Sequence, residues 1–244
     1  LNPNIYGGSQ AITLVGKDAL TGEMVDGLFE YEPVNDPVPY KDQVLAVGYG
    51  QAYMSADDVR YDAGSNVIMQ YEVALCDVKP VNPETTVVGF VFGGKDGEEN
   101  AKYGTFAGYD YNSKSWVIGN FGWENGCTDI FASAPYEWTL PNTDESAGAL
   151  VPATWHRLTL KIEGKKASLY VDGALAVETE KDCITVPANS EDPKFNKLAP
   201  ILYNCGKAIV DNIKFTTDLT FNIEKNTGNV DLADYNISTT DRAF

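Results

Sequence analysis

Apolar and polar residues alternate with a period of two along much of the chain. The clearest case is the segment 155–177, WHRLTLKIEGKKASLYVDGALAV. In its first run Leu158, Leu160 and Ile162 share one face, and polar residues occupy the positions between them. Alternation of this kind predicts strands that bury one face against a core.

Two turns divide this segment into three predicted strands. Gly164 and the pair Asp172-Gly173 are suited to the positive φ that tight hairpin turns demand, so the segment is predicted to be a β-meander. The polar face of the first strand carries Arg157, Thr159 and Lys161. We expect this face to be solvated.

Similar patterns recur along the chain and predict an all-β protein without helices of any length. The other predicted strands are 11–15, 24–31, 43–52, 67–78, 85–93, 103–111, 115–120 and 208–216. Residues 67–78 are apolar on both faces, which predicts a strand covered on both sides. Residues 121–150 and 182–206 are interpreted as irregular. Short strands with turn signals about every 8–12 residues are typical of a β-sandwich.

Three stretches resemble one known superfamily. Trp155-His156, an alternating strand, a glycine turn and then Leu169–Gly173 (LYVDG) are similar to the hairpin of laminin-G-like domains. These domains belong to the concanavalin A-like lectin/glucanase superfamily. Val210–Ile213 (VDNI) resembles the closing strand of its carbohydrate-binding modules, and Asp42–Val47 resembles their second strand. The resemblance implies a jelly-roll sandwich of two antiparallel sheets.

We assign residues 1–218 to this sandwich domain. Residues 219–244 are polar with few apolar anchors, so we interpret them as a C-terminal strand, a tail or a linker toward another module. The chain has no run of 18 apolar residues, and we expect no insertion into a membrane. The N-terminal Leu1-Asn2-Pro3 shows no signal-peptide pattern, as in a processed chain or a cytosolic protein.

The charge balance narrows the choice of partners. Acidic residues outnumber basic ones 35 to 18, and the formal net charge is −17. Such a surface repels phosphate backbones and anionic lipids, so nucleic acid and membrane surfaces are excluded as expected partners. Neutral glycans remain compatible with it. With the resemblance, this predicts a secreted or cell-surface protein, with other modules of a larger surface protein as further candidate partners.

The four cysteines leave two alternatives open. Cys76, Cys127, Cys183 and Cys205 are not spaced as CxxC, which argues against a zinc site. They are either buried thiols or the members of one or two disulfides. Among the pairings, Cys183–Cys205 is the first choice because it would close a long irregular loop.

The sequence carries little sign of catalysis. Glucanases of the superfamily use carboxylates spaced E-x-D-x-E on one strand face, and that triplet is absent. Glu30-Tyr31-Glu32 offers a pair that lacks the third member. Related lyases use a His, Tyr and Arg grouping, but the only histidine is His156. We expect a structural role for it.

A signal for ligand binding is stronger. Aromatic residues are concentrated between Tyr103 and Trp138. The apolar faces of sugar rings stack on aromatic planes, while amides and carboxylates bind the hydroxyls at the rim. The alternative is that these aromatics form core. The candidate ligand-binding residues are Tyr109, Tyr111, Trp116, Trp123, Glu124 and Asn125.

The resemblance also implies a structural Ca²⁺, with Asp211 as the residue to name among its oxygen ligands. We therefore predict non-catalytic binding of a neutral glycan by an extracellular sandwich. Two alternatives stay open: a laminin-G-like adhesion or structural module that binds protein, and a glycoside hydrolase or polysaccharide lyase with a non-standard site.

Overall fold

A computed structural model describes thirteen parts of the chain. These parts are residues 12–18, 24–25, 29–32, 44–56, 66–78, 86–94, 104–122, 126–142, 145–180, 197–217, 219–220, 223 and 227–230.

The described parts consist almost wholly of β-strands, with one short 3₁₀ turn at Glu145–Ala147. In chain order the strands are β1 (Ile12–Asp18), β2 (Met24–Val25), β3 (Phe29–Glu32), β4 (Val44–Ala56), β5 (Val67–Val78), β6 (Val87–Gly94), β7 (Gly104–Asp110), β8 (Ser115–Gly122), β9 (Gly126–Pro135), β10 (Ala153–Glu163), β11 (Lys166–Val171), β12 (Ala174–Glu178), β13 (Lys197–Thr216) and β14 (Thr227–Val230).

Hydrogen bonding orders nine of these strands as β12-β11-β10-β5-β13-β6-β7-β8-β9, and every described pair is antiparallel. The order comprises sheets of four and five strands that form a sandwich. β4 runs along β13 and pairs with β1 and β3, while β14 pairs with the start of β10. The predicted all-β sandwich of antiparallel sheets is confirmed, and its assignment to a concanavalin A-like jelly roll stays a prediction.

The longest strand, β13, connects the two sheets. Its first part, Lys197–Tyr203, pairs with β6, and its second part, from Cys205 onward, pairs with β5. The interpretation of 182–206 as a loop is therefore wrong for residues 197–206. Asn204 and Gly206, which read as loop residues, fall at register shifts of this strand. Bulges accept such residues without ending a strand.

The predicted β-meander is confirmed. β10 and β11 pair with Leu160 opposite Leu169, and β11 and β12 are joined by Asp172-Gly173. Both turn residues have positive φ, 51° and 80°, as a two-residue hairpin turn requires. The apolar row of β10 is fully buried between the sheets.

Two of the three polar side chains on the opposite face of β10, Arg157 and Thr159, are buried or mostly buried rather than solvated, which corrects the expectation from the sequence. Thr159 is buried and donates a hydrogen bond to Gln70 Oε1 at 2.9 Å. Arg157 Nε donates to Glu72 Oε1 at 3.0 Å, and both side chains are mostly buried. β5 is buried on both faces, as its pattern predicts.

β9 corrects a second expectation, because 121–150 was interpreted as irregular. The strand runs from Gly126 to Pro135 and pairs with β8. Its alternation is weak since the inward positions, Ala132 and Ala134, are small. Asp129 has a φ of 46° and lies next to a shift in the β8–β9 register. This irregularity also interrupts the alternation of inward and outward side chains.

Two glycines allow β6 and β7 to approach closely. Gly89 lies opposite Gly108 in the register. A Cβ added at Gly89 would lie 2.2 Å from the carbonyl oxygen of Ala107 and 2.6 Å from Gly108 Cα. Backbone atoms cannot move aside as a flexible side chain can, so this position requires glycine.

We predict that Gly89→Ala lowers the free energy of unfolding by about 3 kcal/mol or more, because the new methyl group overlaps the neighbouring backbone. Urea denaturation followed by circular dichroism measures this change. Ser133→Ala on β9 is the control, since Ser133 is exposed, and it should stay within about 0.5 kcal/mol of wild type. A Gly89→Ala variant as stable as the control would contradict the close approach.

Candidate functional site

An aromatic cluster fills one end of the inter-sheet core. Three of its rings are buried, with 1% of Tyr109, 4% of Trp116 and 3% of Trp138 exposed. Two more, Tyr111 and Tyr136, are partly buried and pack against them. The cluster therefore presents two tyrosines toward solvent on a support of three buried rings.

The β7–β8 hairpin positions one side of this cluster. Tyr109 and Trp116 are cross-strand partners, and their ring centroids lie 5.2 Å apart. Asp110, between the two tyrosines, accepts a hydrogen bond from the backbone N–H of Asn112 at 3.2 Å. An aspartate that bonds two residues ahead stabilises a turn, so Asp110 has a structural function here.

The segment after β9 supplies the other side. The ring centroid of Tyr136 lies 5.1 Å from that of Trp116, and the two ring planes are inclined by 32°, which approaches parallel stacking. The Tyr109 hydroxyl donates to the backbone carbonyl of Tyr136 at 3.2 Å and accepts from the backbone N–H of Trp138 at 3.3 Å. These bonds fix the segment against the hairpin.

His156 adds a hydrogen-bonded chain to the cluster. Its Nδ1 lies 2.7 Å from Asp172 Oδ2, and its Nε2 lies 2.8 Å from the Tyr136 hydroxyl. The residue is 5% exposed, and the centroid of its ring lies 4.7 Å from that of Trp138. Asp172 Oδ1 accepts a further bond from the backbone N–H of Arg157 at 2.8 Å. Asp172, His156 and Tyr136 thus form one continuous chain.

The direction of the hydrogen bonds follows from the protonation states. Burial, and after it the negative charge of Asp172, raises the pKa of Tyr136, so its phenol stays protonated at neutral pH. A carboxylate can only accept, so the Nδ1–H of His156 donates to Asp172. In a neutral imidazole this leaves Nε2 as an acceptor, and the Tyr136 hydroxyl donates to it.

The sequence did not reveal these partners. His156 was expected to be structural because no acid–base companion stood near it in the chain, and Tyr136 and Asp172 are 20 and 16 residues away. Because burial and the charge of Asp172 raise the pKa of Tyr136, its phenol is protonated at neutral pH and cannot accept a proton as a general base from that state.

The structure places the predicted ligand-binding residues in three environments. Tyr109 and Trp116 are core, so neither presents a ring face to solvent. Tyr111 lies beside them and is partly exposed. Trp123, Glu124 and Asn125 lie outside the described residues. A role of these residues in binding stays a prediction.

The calcium prediction is not supported by a ligand set in the described residues. Among them, no group of three or more His, Cys, Asp or Glu side chains converges on one point. For Asp211 the structure describes the backbone, which pairs with Glu72 in the β5–β13 ladder. The Ca²⁺ stays a prediction on Asp211.

The cysteines divide between core and surface. Cys76 and Cys205 are buried, and Cys127 is a half-buried free thiol. Burial, and secondarily the charge of Asp110, raises the pKa of Cys127 to about 12, so it is protonated and a weak nucleophile at neutral pH. Cys183 lies outside the described residues, so the Cys183–Cys205 disulfide stays a prediction.

In the described part of the chain, no helix has the length and apolar character needed to cross a membrane.

No family model matches the sequence, and no curated protein matches it in a sequence search. Among solved structures, the carbohydrate-binding module CBM66 from Bacillus subtilis aligns at 12% identity over 77% of this chain and 94% of that one, with a TM-score of 0.47. The alginate lyase AlgAT5 of polysaccharide lyase family 7 aligns at 13% identity over 84% of this chain and 94% of that one, with a TM-score of 0.44.

A sialidase from Trypanosoma rangeli, in complex with 2,3-difluorosialic acid, aligns at 14% identity over 87% of this chain, with a TM-score of 0.44. This chain spans 30% of the sialidase. At these identities and TM-scores the likenesses carry no argument about what this chain binds or does.

We predict that His156→Ala lowers the free energy of unfolding by about 3 kcal/mol, because it leaves a carboxylate and a hydroxyl without their partner. Tyr136→Phe, which removes a single hydroxyl, should cost about 1 kcal/mol. Urea denaturation measures both values. Tyr170→Phe on β11 is the control and should stay within about 0.5 kcal/mol of wild type. If His156→Ala unfolds at the same urea concentration as wild type, the hydrogen bonds that join Asp172, His156 and Tyr136 contribute nothing to the stability of the fold.

Proposed function

We propose that this protein binds a neutral glycan without catalysis, at the surface formed by Tyr111 and Tyr136. The observation that carries this proposal is the pair of partly exposed tyrosines held against three buried rings. The proposal moves the predicted site from Tyr109 and Trp116 to the aromatics that lie over them. A secreted or cell-surface location would fit such a ligand.

The rigidity of the two tyrosines favours a binding surface. Tyr136 is fixed by stacking on Trp116 and by the bond of its hydroxyl to His156. Tyr111 packs edge to face against Tyr109, with centroids 6.3 Å apart. A ring that is already ordered loses little side-chain entropy when a sugar stacks on it, so more of the contact energy is retained as affinity.

The charges around the tyrosines favour a neutral ligand over an anionic one. Lys114, beside the β7–β8 turn, is paired with Glu137 at 3.0 Å. Asp110 and Asp172 add carboxylates near the same end of the sandwich. With a net charge of −17, the protein would repel uronic acid or sulfate groups.

A second candidate function is protein binding at the two end strands of the described order, as in an adhesion module. Ile130 and Phe131 on β9 are 46% and 44% exposed, and Leu175 on β12 is 48% exposed. β9 and β12 are the two ends of the described strand order, and they contact each other. Exposed apolar side chains on edge strands are a feature of sheets that recruit a partner.

A glycan array decides between these functions. We expect wild type to bind at least one neutral glycan, and Tyr136→Ala and Tyr111→Ala to weaken that binding by about tenfold or more, since a stacked ring is lost. Trp123→Ala tests the predicted loop in the same assay. Tyr170→Ala is the matched control, because it removes a half-buried tyrosine outside the cluster.

Circular dichroism should first show that each variant is folded. Wild type that binds no neutral glycan on a broad array contradicts the proposal. Binding that survives in folded Tyr111→Ala and Tyr136→Ala shows that the glycan sits elsewhere. If Phe131→Ala alone abolishes capture of a protein partner while no glycan is bound, the second candidate is favoured.

A further inference from the structure

We infer that His156 sets the hydrogen-bonding polarity of the Tyr136 hydroxyl, so that this hydroxyl accepts from a ligand while His156 is neutral and donates to it once His156 is protonated. This inference rests on the proposed glycan site at Tyr136. It makes His156 a positioning residue that selects the ligand group opposite Tyr136.

The neutral state follows from the observed distances. Asp172 Oδ2 lies 2.7 Å from Nδ1 and holds the hydrogen of the imidazole on that nitrogen. Nε2 then has only a lone pair, and the Tyr136 hydroxyl at 2.8 Å must turn its hydrogen toward it. The phenol oxygen keeps its remaining lone pair for a donor. A sugar hydroxyl is such a donor, whereas an ether oxygen or a fluorine is not.

Protonation reverses this arrangement. His156 takes one proton from solvent at Nε2, and both ring nitrogens then donate. The new Nε2–H points at the phenol oxygen, so the phenol hydrogen has to turn to another acceptor. An oxygen of a ligand or a water can take it. No covalent bond of Tyr136 breaks, and the phenol stays protonated in both states.

The surroundings of His156 leave Asp172 as its charged neighbour among the described residues. Tyr136 contributes a neutral hydroxyl from the segment after β9. The rings of Trp116 and Trp138 cover the imidazole from β8 and from the segment after β9. β5 places Val73 opposite it in the ladder. Arg157 pairs with Glu72 on the other face of the sheet.

The tautomer of His156 can be measured directly, because it is the only histidine in the chain. Long-range ¹H–¹⁵N spectra of the full chain, recorded over a series of pH values, should show a hydrogen on Nδ1 and a bare Nε2 whenever the imidazole is neutral. Both nitrogens should carry hydrogens whenever it is protonated. A hydrogen on Nε2 of the neutral imidazole would overturn the inference without any reference to a ligand.

The effect on a ligand is tested with methyl glycosides of glucose, galactose and mannose in which each hydroxyl in turn is replaced by fluorine. Fluorine keeps the size of the hydroxyl approximately but cannot donate. Where the spectra show a neutral imidazole, we expect one replacement to weaken binding to wild type by about fivefold, which corresponds to the loss of one hydrogen bond. Where they show a protonated imidazole, this penalty should shrink toward unity, since Tyr136 then donates.

Tyr136→Phe is the matched control, because it keeps the stacking ring and removes the hydroxyl. The fluorine penalty should be absent in this variant in both protonation states of His156. Penalties that are equal in wild type and Tyr136→Phe overturn the inference but leave the proposed glycan site intact. If no parent glycoside binds at any pH tested, the proposed function is contradicted, and the inferred ligand selection is contradicted as well.

Discussion

Side chains two positions apart on a strand share a face, and on β10 this constraint joins the core of the sandwich to the candidate site. The row that buries Leu158, Leu160 and Ile162 continues to His156 at the start of the strand. His156 is therefore placed between the sheets by the same periodicity that forms the core. A shift of one residue would move the imidazole away from the aromatic cluster and expel the apolar row with it.

The second constraint is the Asp172-Gly173 turn. Its positive φ angles reverse the chain between β11 and β12, and they place the Asp172 carboxylate against His156 and the backbone N–H of Arg157. The turn thereby combines a structural function with an electrostatic one. The carboxylate selects one tautomer of the imidazole, and the imidazole in turn fixes the hydroxyl of Tyr136.

The local patterns of the sequence predicted the elements that depend on local chemistry. The meander, its two turns and the two buried faces of β5 follow from alternation and from residues suited to positive φ. Contacts between segments that are distant in the sequence could not be predicted from these patterns. Nothing near His156 in the chain identifies Tyr136, and nothing in the small residues of β9 identifies a strand. The aromatic concentration between 103 and 138 contains the aromatic cluster, but alternation alone could not separate its buried rings from its partly exposed ones.

The central claim is that Tyr111 and Tyr136 form a rigid surface for a neutral glycan. The most direct test is a ¹H–¹³C spectrum of protein labelled on its tyrosine rings, titrated with neutral hexasaccharides of glucose, xylose and mannose. The account predicts that at least one sugar shifts the ring signals of Tyr111 and Tyr136 in a saturable way and leaves those of Tyr170 unchanged. Ring signals of Tyr111 and Tyr136 that stay fixed with every sugar would contradict it.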